Sequence, residues 1–439
     1  MARCTLFQDQ VERRWWEDLA DSELNIRDCP KTDVILYSVA LQWGMLAMTY
    51  MLEGLKVVDA ASYLAAPATA TMLGDFGADV IKIEAPGGDG YRVLSDSNWQ
   101  LTSRNKKSIC LDLRQEAGRK ILHQLIADAD VLLTNFLAHQ IEQFELEYEQ
   151  VRKTNPRLVY AHVSGYGRRG PEKNRRGFDL AGFWARTGIQ DAMKPYGGAP
   201  VHPAGGSGDH VTALALLSGI MMALYDREKT GQGKLVSSSL VASGCYTNGM
   251  VLQAAIAGHD RDEVLKKNNG VRSAFSNLYQ TRDDRYVMLI IVNTRKEFPG
   301  LAKALGHEEW LEDPRFAEFT ELQQHKMELT PLVAEAMREF NLEEICKRMD
   351  EYDLPYSAVE RTSDVIRDAQ LIENEVIVKT DSELPEYQWT INSPVNIEGE
   401  CKRTPTTAPG VGQHSEEVLK DLGLSSESIT KLIEVGAVV

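Results

Sequence analysis

Lys56-Val57-Val58-Asp59-Ala60 and Asp79-Val80-Ile81-Lys82-Ile83-Glu84 are short apolar runs of strand length. Between them, Pro67 to Phe76 carries apolar residues at helical spacing and stops at Gly77. A strand, a helix and a second strand in this order predict a parallel βαβ unit, because a parallel return needs a crossover. The rhythm continues outward. Ser108–Leu113, Asp130–Asn135 and Arg157–Ser164 read as strands, with helices predicted over Gln115–Asp128 and Glu145–Lys153. Such alternation defines an α/β fold, a doubly wound open parallel sheet with helices on both faces. Ligands of these sheets bind beyond the carboxyl ends of the strands. The junctions Ala60–Ala66, Glu84–Gly90, Asn135–His139 and Gly165–Gly170 are therefore expected on one rim.

The middle of the chain changes character. Ser276–Gln280 and Arg285–Val292 read as a hairpin across a short Arg-Asp-Asp connection. Helical patterns follow at Lys296–Leu305, Glu321–Glu339 and Leu342–Met349, so a small α+β domain is expected. The expected organisation is an N-terminal extension (1–51), a large α/β domain (52–260), the small domain (261–350) and a return with terminal helices (351–439). Within the extension, Val34 to Leu52 is a charge-free apolar run of transmembrane length. Ser38, Gln42, Gly44 and Thr49 interrupt it, and it is read as a docked helix or an extension from an upstream start codon.

The 439 residues carry a formal charge of −16, which argues against nucleic acid or anionic membrane as a general partner. An anionic ligand then needs a local basic site. The six cysteines lie far apart, without CxxC or zinc-ligand spacing, and are expected to be reduced thiols of a cytoplasmic protein. No metal site is expected.

Chemistry concentrates in Pro203-Ala204-Gly205-Gly206-Ser207-Gly208-Asp209-His210, a glycine-rich loop before a long apolar helix pattern, Val211 to Tyr225. An ionised carboxylate held beside loop amides is an acyl-accepting nucleophile with its own oxyanion donors. Asp209 is the candidate nucleophile, with amides around Gly206 and Gly208 as donors and Gly270 as a further one. The alternative is that Asp209 only caps the helix. Gly87, Gly88 and Gly90 do not follow the first strand with dinucleotide-binding spacing, which argues against a nicotinamide cofactor. The basic stretch Arg168–Arg176 is read either as a solvated loop or as a cationic rim for phosphate. His162, His202 and His210 lack a partner at catalytic spacing.

Several segments together resemble CoA-transferase family III, the formyl-CoA and carnitine CoA-transferase type. They are Leu52–Asp59, Ala66-Pro67, Gly77–Glu84, Asn105–Ser108, Thr134–Phe136, Asn155–Val159, Ser164–Gly167 and Thr230–Lys234. Gly177-Phe178-Asp179, Phe183–Arg186 and Gly208-Asp209-His210 are most similar to the 2-hydroxyacyl-CoA transferases of amino-acid fermentation. The resemblance implies a large domain built from both chain ends, a small middle domain and two interlocked subunits. It implies Asp209 as nucleophile and no tightly bound cofactor, with acyl-CoA and a small carboxylic acid as substrates. The implied CoA contacts are Leu64, Ala65, Leu111 to Arg114, Asn135, Phe136, Leu137, Arg176, Gly177, Phe178 and Asp179. Ala85 and Gln143 stand where some relatives have arginine, which shifts phosphate binding toward Arg92, Arg114 or the Arg168–Arg176 loop. Asn268-Asn269-Gly270 stands where some relatives carry a glycine-run lid. Two other functions share the fold. An α-methylacyl-CoA racemase would use Asp179 with a histidine that Glu145–Arg152 does not offer, and a non-catalytic CoA-binding protein would not need Asp209. Trp99, Phe178, Phe183, Trp184 and Tyr246 are candidate aromatic pocket residues.

Overall fold

The computed structural model describes residues 50–259 and 261–439. The N-terminal extension up to residue 49, with nearly all of the Val34–Leu52 run, lies outside the described residues. Two compact units emerge. Among the described residues the first combines 50–182 with Gly205–Ser243 and Val376–Val439; the second comprises Phe183–Ala204 and Gly244–Glu375.

The first unit is built on six parallel strands: β1 (Lys56–Ala60), β2 (Asp79–Glu84), β3 (Lys107–Cys110), β4 (Val131–Thr134), β5 (Val159–Ser164) and β6 (Leu235–Ser239). Their order is β3-β2-β1-β4-β5-β6. Successive side chains of a strand point to opposite faces, and both faces here are apolar. Val58, Ile83, Ile109, Leu132 and Tyr160 pack with Ile121, Leu122 and Leu419 on one side. Val57, Val80, Val131, Leu133 and Ala161 pack with Leu73, Leu216 and Ile220 on the other. This is the doubly wound α/β architecture expected. Strand order reverses between β1 and β4, which opens a crevice at their carboxyl ends.

The sixth strand was not expected, because Leu-Val-Ser-Ser-Ser lacks an apolar run. Its entry requires glycine at position 233, where a Cβ would lie 2.0 Å from the Leu158 carbonyl oxygen. The C-terminal segment closes the opposite edge. Asp112 N–H donates to Ala437 O (3.0 Å), Val439 N–H to Cys110 O (3.2 Å) and His414 N–H to Ser108 O (2.9 Å). Among the described residues one helix, Ser207–Thr230, is long and apolar enough to cross a membrane. Thr212, Ala213, Leu216, Ile220 and Ala223 on it are buried.

The second unit carries a three-stranded antiparallel sheet, β7 (Ser276–Gln280), β8 (Tyr286–Ile290) and β9 (Tyr356–Ala358), in that order. Phe275, Tyr279, Val287 and Leu289 form one core with Phe298, Leu301, Leu329, Val333, Ile345 and Met349 from three helices. The unit limits correct the expected 260/261 and 350/351 boundaries. Pairing of β9 with β8 carries the second unit past residue 350, and Phe183–Ala204 joins it from upstream. Cys110, Cys245 and Cys346 are free thiols, whereas Cys401 is disulfide-bonded, against the expectation of six reduced cysteines.

Candidate active site

The crevice between β1 and β4 is held by polar contacts that fix its loops. Asn135, just after β4, accepts the Ser62 amide (3.0 Å) and donates to the Ser62 carbonyl (2.7 Å). Beneath lies a buried ionic cluster. Lys82 Nζ donates to the Ala61 carbonyl (2.7 Å) and pairs with Asp89 (3.0 Å). Lys106 Nζ donates to Asp59 (2.8 Å) and to the carbonyls of Pro67 (2.8 Å) and Thr102 (2.9 Å). Burial pushes the Lys106 ammonium down to about 8 despite Asp59. Buried charges persist when paired and hydrogen-bonded. Here the pairs pin both ends of the loop from Ala61 to Pro67.

Asp209 lies in the first turn of the Ser207–Thr230 helix, three residues past the N-cap, which is Gly206. The capping alternative is thereby set aside, because the cap position belongs to glycine. Gly206 has φ +91°, a left-handed conformation that glycine adopts without strain. A Cβ there would also stand 3.3 Å from Leu64 Cδ1. The Gly206 amide donates to Asp179 Oδ2 (2.7 Å), so it is not the oxyanion donor expected of it. His210 N–H makes the first intrahelical bond, to Gly206 O (3.0 Å). Helix geometry leaves the amides of Ser207, Gly208 and Asp209 directed out of the N-terminus.

Asp209 is half-buried, and no ion pair involving it is seen among the described residues. Burial first, and the neighbouring Asp179 charge second, push its carboxyl up to about 7. From the sequence an ionised carboxylate is expected here, and burial and the Asp179 charge work against that ionisation. The carboxyl is balanced between acid and anion near neutrality.

Asp179 is itself buried. It reaches Gly206 because two glycines touch upstream. A Cβ on Gly165 would come 2.5 Å from Gly177 Cα, and one on Gly177 would come 2.4 Å from Gly165 Cα. Only glycine at both positions lets the chain leaving β5 return beside itself and present Phe178 and Asp179 to the rim.

An aromatic group borders this loop. Tyr63 has φ +67°, and a left-handed conformation in a non-glycine residue costs about 1–3 kcal/mol. Its amide donates to both Asp89 carboxylate oxygens at 3.2 Å, which ties the strained residue to the buried Lys82–Asp89 pair. The Tyr63 ring meets Phe178 edge-to-face at 5.7 Å and lies 6.5 Å from the Tyr91 ring. Tyr91 packs on Leu64, Ala68, Met72 and Ala213, and Ala213 stands one helical turn beyond Asp209. Burial, and next the Asp209 charge, raise the Tyr91 phenol above its ordinary range. No spacing in the sequence singles out Tyr63 or Tyr91; the strain at Tyr63 is visible only in the backbone.

The remaining expected residues fall into different places. Leu64, Ala65, Phe178, Asp179, Gly206 and Asp209 gather at the loop just described, and Asn135 acts through the Ser62 backbone. The Phe136 carbonyl is held by His162 Nε2 (3.0 Å), and the Leu137 amide donates to Gln140 (3.0 Å). Leu111 is wholly buried and bridges to Val438, so its side chain is core and not ligand surface. Arg114 is exposed and bidentate to Asp112 (2.8 and 3.0 Å). Arg92 is committed to Glu84 (2.7 and 2.6 Å) and lies over the buried Trp99 ring at 4.0 Å, which removes it as a phosphate ligand. Arg168, Arg169 and Arg176 are exposed and make no ion pair among the described residues, whereas Arg175 pairs with Glu172. In the second unit the Gly270 amide donates to Leu265 O (2.8 Å), which withdraws it as an oxyanion donor. Among the described residues no group of His, Cys, Asp and Glu could hold a metal ion.

The profile of CoA-transferase family III matches residues 52–415. The (R)-2-hydroxy-4-methylpentanoate CoA-transferase of Clostridioides difficile is 34% identical over 390 residues, covering 86% of this chain and 97% of that protein. The cinnamoyl-CoA:phenyllactate CoA-transferase of Clostridium sporogenes is 31% identical over 397 residues, covering 88% and 96%. A CAIB/BAIF family protein from Brucella suis shares the fold, with a TM-score of 0.74 at 24% identity over 85% of this chain and all of that one. The doubly wound six-stranded parallel sheet places the first unit in the α/β class. The chain belongs to CoA-transferase family III. It is a CoA-transferase, acting on an acyl-CoA and a carboxylic acid.

Proposed function

We propose that Asp209 carries the transfer covalently. Its carboxylate attacks the thioester carbonyl of the acyl-CoA; the C–S bond breaks, and CoA leaves as thiolate with an aspartyl–acyl anhydride in place. The thiolate then attacks the aspartyl carbonyl and expels the first acid, leaving an aspartyl–CoA thioester. The incoming carboxylate attacks that thioester carbonyl and expels CoA thiolate, which in turn attacks the acyl carbonyl of the new anhydride. The new acyl-CoA departs and Asp209 is restored. The activation of the thioester is conserved throughout, so no nucleotide is consumed. Covalent catalysis here divides one difficult exchange into easier displacements.

The observation that carries this reading is the position of Asp209, half-buried in the first turn of a helix and pushed up to about 7. The amides of Ser207 and Gly208 are the oxyanion donors, and removing one such donor typically costs about 3–4 kcal/mol of barrier. Asp179 has a positioning role through the Gly206 amide. Leu64, Ala65, Asn135, Phe136, Leu137 and Gly177 border the CoA path, and Arg168, Arg169 and Arg176 supply charge for its phosphates. The substrate acid is a 2-hydroxy acid, by likeness to the two relatives named for such acids. The working form is an interlocked cytoplasmic homodimer. An exposed apolar stripe on the Asp209 helix, Val211, Leu214, Met221, Met222 and Tyr225, favours such an assembly. Light scattering should then give twice the mass of the single chain.

The test is steady-state transfer from an acyl-CoA to 2-hydroxy acids by the wild type and Asp209→Asn. Transfer should vanish in the variant with circular dichroism unchanged, and no α-proton exchange into heavy water should accompany it. Undiminished transfer in Asp209→Asn would reject the nucleophile, and α-proton exchange without transfer would select the racemase.

A further inference from the structure

We propose that Tyr63 and Phe178 form a specificity lip of the acyl pocket, gripping the apolar aryl or branched side chain of the acid joined to Asp209. The inference rests on the acyl-transfer reading of Asp209 and names which acids that site accepts. Three independent features converge on it.

Tyr63 keeps a left-handed backbone although tyrosine gains nothing from it, and a fully buried ion pair reached through its amide maintains that shape. Strain that surrounding structure over-determines is characteristic of ligand clamps. The strain has a product: the ring stands up at the rim, 40% exposed, edge-to-face with Phe178, which is 55% exposed. Large aromatic rings left open beside a reactive group are otherwise unexplained by packing, since Trp99 shows that this unit buries an aromatic residue fully where it serves the core.

Both lip residues are joined in sequence to the machinery around Asp209. Leu64, next to Tyr63, abuts Gly206; Asp179, next to Phe178, holds the Gly206 amide. Tyr91 links the lip to the helix of Asp209, with its ring beside Tyr63 and its packing against the buried cluster that includes Ala213. The Asp209 charge is felt at the Tyr91 phenol. The bound carbonyl at Asp209 sends two chains outward, the acyl substituent and pantetheine. Aromatic edges and faces suit an apolar ring or branched alkyl group, whereas pantetheine is a thin chain of amides and the phosphates require cations. The lip therefore takes the acyl substituent.

The probe is one acyl-CoA donor with lactate, 4-methyl-2-hydroxypentanoate and phenyllactate as acceptors, assayed by kcat/KM. The variants are Tyr63→Gly, Tyr63→Phe and Phe178→Ala. Glycine accepts the left-handed backbone freely, so Tyr63→Gly keeps the loop and removes only the ring. Its preference for the two bulky acids over lactate should fall about tenfold or more, as should that of Phe178→Ala, with lactate turnover retained. Tyr63→Phe should keep the preference. Equal losses on all three acids would mean that the rings serve CoA or the fold, and an unchanged preference would mean that they touch neither; each overturns the lip. If the wild type transfers CoA to no acid while binding acyl-CoA, the acyl-transfer reading itself fails and the lip with it, a result distinct from either pattern.

Discussion

Asp59 and Asp209 are carboxylates of the same unit, one at the end of β1 and one at the start of the long helix, and their surroundings push them in opposite directions. Burial works against ionisation of Asp59, but the ammonium groups of Lys106 and Lys82 outweigh it and hold its carboxyl below the ordinary range. Asp209 is less buried and has no such cation. Burial and the Asp179 charge together raise it to about 7. Asp59 is thus favoured as an anion by its lysines, and its work is to fix Lys106 and, through it, the Pro67 end of the loop. Asp209 changes charge near neutrality, and a carboxylate that is not stabilised as an anion is a better nucleophile. One region supplies rigidity, and the other supplies chemistry that the rigidity positions.

The contrast can be broken most forcefully at Asp209. Asp209→Ala should lower kcat by at least about three orders of magnitude, while a urea melt stays cooperative with its midpoint little moved. The buried cluster should respond the other way. Lys106→Met leaves Asp59 short of its main partner, so stability should fall by about 3–5 kcal/mol. The double variant Asp59→Leu with Lys106→Met should recover part of that loss, measured as urea midpoints.

A finer test concerns Asp179. Asp179→Asn keeps an oxygen to accept the Gly206 amide but removes the charge that helps to raise Asp209. In the wild type, kcat/KM should climb through about pH 7 as Asp209 ionises and then level. In Asp179→Asn the midpoint should move toward the ordinary carboxylate range, whereas a purely structural role would leave it in place. The smallest effect is on stability. A carboxyl whose folded pKa lies above its unfolded value favours the folded state at low pH, and that contribution disappears as pH rises from about 4 to about 7. Asp209→Asn should therefore melt about 1–3 °C higher than wild type above pH 7, and the gain should shrink to nothing below pH 4.

Much of the fold was legible because its strands are continuous apolar runs: Lys56–Ala60 and Asp79–Glu84 appear where expected, and Val131–Thr134 within one residue at each end. The serine-rich Leu235–Ser239 was not legible, since it is a sheet edge partly open to solvent and needs no apolar face. Asp209 was legible as a carboxylate beside glycines. The start of its helix was not, because Gly206 and Gly208 read as loop although one caps the helix and the other lies inside its first turn. Leu111 and Arg92 were misplaced for a common reason: proximity in sequence to a rim does not say whether a side chain faces ligand, core or a buried carboxylate. Tyr63 carried no signal at all, because tyrosine does not advertise a left-handed backbone and the ion pair that enforces it is assembled from residues Lys82 and Asp89, far along the chain.

Transfer turns on one carboxyl group and the bond it forms. Incubating the wild-type protein with an acyl-CoA, quenching with hydroxylamine and mapping the peptides by mass spectrometry measures that bond. A hydroxamate should form on Asp209 alone, only when acyl-CoA is supplied, and be missing in Asp209→Asn. An unmodified Asp209 in a protein that is turning over, or a hydroxamate on any other carboxylate, would contradict covalent transfer through Asp209.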